Sequence, residues 1–259
     1  MRLKLKAGIL SLAFLMFSFV LTSCLEEPTI DPVTKPFSVA RVVNISSNVL
    51  TMRITIDDVP TLDGLTSPSA SDYFDIKSGK RRFKVYNAAG DLLFNKEIEM
   101  ISFDRTTVVF TGTYSTNELE NTFANFEVSE GEVYVSSQPD SAGMANLYFV
   151  HASAAFDTLN SIDYNLGLNY LPTGDTVSVD TALVTGLKFG ETESVGNVVP
   201  GVYSNIISVA AENPVQYSDT LNLGAINAGF RYYIFLYGKP NDLSYFKNEV
   251  VPPPIRSRD

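Results

Sequence analysis

Cysteine, histidine and tryptophan are almost missing from this 259-residue chain, which has one Cys, one His and no Trp. A lone cysteine rules out an internal disulfide framework, so the folded part has to be stabilised by burial of its core. A lone histidine, His151, leaves zinc without the several His and Cys ligands that its sites draw on. A Ser-His-Asp triad would need that same residue, which sits in a strand-like run beside Phe149 and Val150. No G-x-S-x-G elbow occurs in the chain. His151 therefore reads as a half-buried strand histidine bonded to a loop, not as a catalytic base. The absence of tryptophan removes the commonest stacking platform for sugars. No long apolar run is present either: residues 7–21 make a stretch of 15, short of the about 20 that a transmembrane helix needs.

That short run has a defined setting. Arg2, Lys4 and Lys6 precede it, and Thr22, Ser23 and Cys24 follow it, the order of charge, apolar core and small residues that marks a cleaved secretory signal. Leu21, Thr22, Ser23 and Cys24 resemble the lipobox of bacterial lipoproteins, and the match holds the only cysteine. The resemblance implies cleavage after residue 23 and lipidation of Cys24; the alternative is an ordinary secreted protein with one buried cysteine. Several acyl chains on one residue pass the threshold for stable anchoring. Glu26 and Glu27 follow Leu25 where an inner-membrane retention aspartate would stand, which favours the outer membrane. The acidic pair resembles the surface-export signal of Bacteroidetes lipoproteins, which favours surface display over the periplasmic face. Prolines 28, 32 and 36 make residues 24–36 an extended tether.

Basic charge is also scarce. Removing residues 1–23 takes three of the 19 basic residues and none of the 29 acidic ones, leaving a net charge of −13 over 236 residues. Nucleic acid and anionic membrane surfaces are poor partners for such a chain as a whole.

Beyond the tether the dominant period is two, as in strands with one buried face. Leu50, Met52, Ile54 and Ile56 alternate with Thr51, Arg53 and Thr55. Residues 57–72 lose the alternation and read as a loop, and residues 87–91 read as a turn between strands. The second half repeats the first with a growing offset: 107 from Val43 to Val150, 122 from Gly79 to Gly201, and 126 from Val109 to Phe235. Such growth is what a duplication with loop insertions produces, and each copy has the size of one immunoglobulin-like sandwich. The expected fold is all-β, with two immunoglobulin-like antiparallel β-sandwich domains in tandem after the signal peptide. The expected divisions are a signal at 1–23, a tether at 24–36, repeat 1 at 37–113, a connecting segment at 114–143, repeat 2 at 144–239 and a C-terminal tail at 240–259. Leu119, Phe123 and Phe126 have helical spacing within the connecting segment, enough for one short helix; packing against a domain edge is the preferred reading.

Phe149, Val150, His151, Ala152 and Ser153, then Ile162, Asp163 and Tyr164, then Val199, Pro200, Gly201, Val202 and Tyr203, then Tyr232, Tyr233, Ile234, Phe235, Leu236, Tyr237 and Gly238 resemble the repeat unit of an uncharacterised bacterial envelope family. That family is the domain of unknown function 4397, immunoglobulin-like and often in tandem on lipoproteins. In the first copy Asn44 stands in place of the histidine, and Ser78, Gly79 and Lys80 replace the Pro-Gly-small pattern. The resemblance implies a fold and assigns no activity.

Other candidates for chemistry carry less. Asp57, Asp58, Asp63, Asp72 and Asp75 gather around one loop, but their spacing matches no EF-hand and reads as solvated rather than calcium-binding. Lys77, Lys80, Arg81, Arg82 and Lys84 could grip an anionic glycan or phosphate; prevention of edge-to-edge pairing by an edge strand or hairpin is the preferred reading. Tyr232, Tyr233, Tyr237 and Tyr245 could make a sugar-binding face, but Tyr232, Ile234 and Leu236 alternate with Tyr233, Phe235 and Tyr237, which points to a strand buried on both faces and to core or domain contact instead. No catalytic residue, metal ligand, ligand-binding residue or cofactor is assigned. The expected function is a membrane-anchored, non-catalytic envelope module meeting a glycan or another envelope protein. The competing reading is a carbohydrate-active hydrolase with paired carboxylates.

Overall fold

Alternating β-branched and aromatic residues build strands throughout the computed structural model, which describes residues 36–133, 143–153, 161–169, 176–177, 182–210, 217–239 and 242–250. The first half supplies β1 (Phe37–Ser46), β2 (Thr51–Ile56), β3 (Val59–Thr66), β4 (Ser69–Ala70), β5 (Phe74–Lys77), β6 (Gly79–Asn87), β7 (Leu92–Met100), β8 (Asp104–Gly112) and β9 (Ala124–Glu132). The second supplies β10 (Ala145–His151), β11 (Ser161–Asn169), β12 (Thr176–Val177), β13 (Ala182–Leu187), β14 (Thr192–Val198), β15 (Gly201–Ala210), β16 (Tyr217–Ile226), β17 (Arg231–Lys239) and β18 (Asp242–Val250).

Four sheets result. In the first half, β3-β2-β6-β7 faces β4-β1-β8-β9, with β5 also on β1; in the second, β12-β11-β15-β16, with β13 on β11, faces β14-β10-β17-β18. Both halves thus have the same plan, and the all-β, two-sandwich architecture is as expected. Among the described strands pairing is antiparallel except for one parallel ladder in each half, β1 with β8 and β10 with β17. The ladders share a register: Val43 pairs with Val109, and their counterparts Val150 and Phe235 are paired too. The repeat seen as sequence offsets is therefore a repeat of hydrogen bonding.

Three apolar clusters fill the layers. One lies inside the first sandwich around Met52, Ile54, Phe83, Val85, Val108 and Phe110. Another lies inside the second around Leu147, Phe149, Tyr203, Tyr232, Ile234 and Leu236. The third joins the sandwiches: Val43, Ile45, Val109, Phe126 and Val128 meet Val150, Ala152, Tyr233 and Phe235, with Phe246 packed against them. Val43 corresponds to Val150, Val109 to Phe235 and, through the β9 and β18 ladders, Phe126 to Phe246. Each sandwich buries the same face against its copy, a near-isologous arrangement within one chain.

Several expectations change. The 57–72 segment is mostly strand: β3 is an edge strand on β2, half-buried only at Thr61, Leu62 and Leu65 and interrupted by register shifts, so no alternation is written in it. Pro60 is tolerated at that edge because its missing N–H costs no central ladder bond. The 114–143 segment is not only a connector, since β9 completes the sheet beside β8. Its helical spacing is incidental: Leu119 is exposed in a turn, Phe123 packs against the first core, and Phe126 lies on β9. Within the 240–259 tail, β18 pairs along the whole of β17. The 87–91 turn is as expected, closed by Gly90 N–H to the Asn87 carbonyl at 3.1 Å and Asp91 N–H to Asn87 Oδ1 at 2.9 Å, with Gly90 at φ +93°.

Candidate functional site

Cys24 and the leader lie outside the described residues. His151 is fully buried on β10, and its Nδ1 accepts the Ser153 N–H at 3.2 Å. Burial alone pushes its pKa down to about 4, so the ring is neutral at pH 7. The first sandwich makes the same bond with a different residue: Asn44 Oδ1 accepts the Ser46 N–H at 3.1 Å. His151 is therefore a turn-forming acceptor at a strand end, as expected in its bond to the following loop residue but fully buried rather than half-buried.

The acidic group does not act together. Asp57 accepts the Arg82 N–H at 2.9 Å and pairs with Arg81 at 3.0 Å, which hold its carboxyl below the usual range. Asp58 pairs with Lys84. Asp63 and Asp72 stand apart on another feature described below. Among the described residues, no group of three His, Cys, Asp or Glu side chains is placed to hold a metal ion.

Arg81, Arg82 and Lys84 lie on the β6–β7 hairpin and not on an edge strand. β6 lies between β2 and β7, so Arg81, Arg82 and Lys84 project across the sheet to Asp57, Glu97 and Asp58. Only Lys77 lies on an outer strand of this region, on β5. The tyrosine strand agrees with expectation: Tyr232, Ile234 and Leu236 line the second core, while Tyr233, Phe235 and Tyr237 face the first sandwich.

Two features escaped the sequence reading. The first is a polar network sealed between the sandwiches. Arg41, 3% exposed in the middle of β1, meets Glu130, 2% exposed on β9, at 2.5 Å. The same carboxylate accepts the hydroxyls of Thr107 and Tyr73. Arg41 also donates to Thr107 at 2.7 Å and lies over the rings of Tyr73 and Tyr233, 4.9 and 5.8 Å from their centroids. Arg231 reaches across from the second sandwich to the Glu130 carbonyl at 2.9 Å. Burial, then the Glu130 charge, pushes the Tyr73 and Tyr233 phenols well above their ordinary range. The only signal in the sequence is a cation inside an otherwise apolar strand; its partner lies 89 positions away.

The second is an open depression of about 430 Å³ where the edges of the two sheets of the first sandwich meet. Thr61, Asp63, Thr66, Ser69, Ser71 and Asp72 supply hydroxyls and carboxylates. Leu62, Leu65 and Phe74 line it too, and they rest on the first core. Asn44 fixes one wall, donating to the Val49 and Leu65 carbonyls at 3.1 and 3.2 Å. Ser71 fixes the other, accepting the Val42 N–H at 2.9 Å.

No family model matches the chain, and no curated protein matches it. Solved structures do. A provisional cell adhesion protein from Bacteroides uniformis ATCC 8492 is 10% identical, with 83% of this chain and 98% of that one covered at a TM-score of 0.28. Another, from Bacteroides fragilis NCTC 9343, is 10% identical over 77% and 83% of the two chains at 0.23. A streptococcal virulence factor, in a structure of alpha-glucan binding, is 13% identical over 82% and 97% at 0.24. At these identities and scores the likeness carries no functional argument.

Proposed function

We propose that this chain is an envelope lipoprotein, acylated at Cys24 and held on the outer membrane, whose fused sandwiches form a non-catalytic module for a glycan. The anchoring rests on the signal and the lipobox-like residues 21–24. In this reading the repeats run from residue 37 to β9 and from β10 to β18, with each closing strand belonging to its own copy.

The observation that carries the binding part is the depression at residues 61–74. Its side chains combine hydroxyls and carboxylates, which bond sugar hydroxyls, with Leu62, Leu65 and Phe74, which suit the apolar face of a pyranose ring. Its walls are fixed by buried Asn44 and by Ser71, so little ordering is needed on binding. The test is a glycan array probed with the mature protein, followed by calorimetric titration of each hit against Asp63→Asn and Asp72→Asn. Affinity is expected to fall at least tenfold in one of the two variants. Unchanged affinity in both would move the site elsewhere. Polysaccharide turnover abolished by the same substitutions would make this a hydrolase.

A further inference from the structure

The end of the first sandwich at which the chain enters carries exposed apolar side chains. Ile101 is 60% exposed and Phe103 37%, both in the turn between β7 and β8. Phe103 sits at φ +63°, a region that a bulky residue seldom occupies. The turn is nevertheless fixed, because Phe103 N–H donates to the Phe37 carbonyl at 2.7 Å and the Phe103 carbonyl accepts the Val133 N–H at 2.8 Å. The Phe37 and Phe103 rings meet edge to face at 5.7 Å. Phe37 is the first residue of β1, and only residues 25–36 separate it from Cys24. Twelve residues span at most about 40 Å when fully extended.

Cations rim the same end. Lys77 is the register partner of Phe37, and Lys80 follows Gly79, which pairs with Met100. Both lysines are exposed. Glu99 stands opposite Lys80, Arg81 is held by Asp57, and Asp104 is buried. Apolar tips beside two exposed lysines match the boundary between acyl chains and headgroups, where lysine stems lie along apolar surface and leave their charge in water.

We infer that the Ile101 to Phe103 turn, with Lys77 and Lys80, rests on the bilayer that holds the lipid anchor. This rests on the anchoring proposed above. The tether supplies the reason that so small a patch suffices, since a tethered group meets its target at an effective concentration on the order of millimolar. The patch orients the body without having to hold it there. It also gives the depression a direction: residues 69 to 74 flank β1 from Ala40 to Asn44, toward its far end from Phe37. Standing the sandwich on residues 101–103 turns that wall away from the membrane.

The chain has no tryptophan, so one introduced indole is an unambiguous reporter. The mature acylated protein is reconstituted into vesicles of phosphatidylethanolamine and phosphatidylglycerol containing brominated lipid. Ile101→Trp is compared with Leu119→Trp, a 96% exposed position in the turn that follows the opposite end of β8. Ser102→Trp, also at an exposed position, repeats the measurement at the proposed contact. Emission from positions 101 and 102 is expected to shift to the blue and to be quenched at least threefold more than from 119. Equal quenching at all three positions, with acylation confirmed by mass spectrometry and the protein floating with the vesicles, would overturn this inference alone. An unacylated Cys24 and no flotation would overturn it together with the anchoring.

Discussion

At the centre of its parallel ladder the first sandwich places Arg41 beside Thr107, and the second places Tyr148 beside Tyr233. These are equivalent positions of the repeat, and both look into the joint between the copies. One side therefore presents a cation and a hydroxyl and the other two stacked rings, 5.0 Å apart at 18°. Arg41 covers Tyr233, and Arg231 covers Tyr148 at 5.3 Å. The divergence of this one pair makes two otherwise like surfaces unlike at this point. The outer positions kept their likeness, Val43 with Val150 and Phe126 with Phe246, where apolar contact needs no such distinction.

Breaking the unlike pair should have the largest effect. Glu130→Ala leaves the Arg41 charge buried without its carboxylate, and Arg41→Ala does the reverse; each should cost about 3–5 kcal/mol in urea unfolding. The double variant Arg41→Met, Glu130→Leu should cost less than either single change, because no charge is stranded. If the double change costs the sum of the two, the pair is not acting as a unit.

The turns that follow the ladder offer the next comparison. Gly112 sits at φ +85° and its counterpart Gly238 at φ +107°. A Cβ at Gly112 would lie 2.0 Å from the Thr122 carbonyl oxygen. Gly112→Ala should therefore cost more than the about 1–3 kcal/mol of backbone strain alone, measured by thermal or urea unfolding. A loss below that range would show that the β8–β9 connection can yield.

The strand ends differ in a way that pH can read. His151 has its pKa lowered to about 4 from 6.5, while Asn44 does not titrate. Between these values the unfolded chain binds a proton that the folded chain refuses. The contribution is thus fully present above pH 6.5, is lost as pH falls toward 4, and amounts to about 3 kcal/mol. His151→Asn copies the first sandwich and should remove that slope while retaining the bond to Ser153. An unchanged pH profile would mean that His151 is protonated without hindrance. The smallest effect belongs to exposed Asp58: Asp58→Asn should change stability by no more than about 0.5 kcal/mol.

The same contrast explains what could be read in advance. The alternation of residues 232–237 states which side chains meet each layer, because β17 is buried on both faces. The offsets state the repeat, because both copies keep apolar residues in register. β3 could not be read, since an exposed edge strand with Pro60 and a register shift near Gly64 writes no pattern. β9 and β18 were obscured by incidental spacing and by position near a linker or terminus. The parallel direction of the ladders and the union of Arg41 with Glu130 depend on residues far apart in the chain, and no local period encodes them. The depression is lined by the single stretch 61–74, but its walls are held from β1 by Val42 and Asn44. The lipidation proposed for Cys24 rests on the sequence alone, since that residue lies outside the described residues.

The most direct test of the joint is whether the two sandwiches unfold as one. Phe94→Trp reports on the first core and Phe230→Trp on the second, each as the single tryptophan of the mature chain. Superimposable urea curves, both shifted together by Glu130→Ala, are the predicted result. Two separated midpoints, with only the first sandwich responding to that substitution, would contradict it.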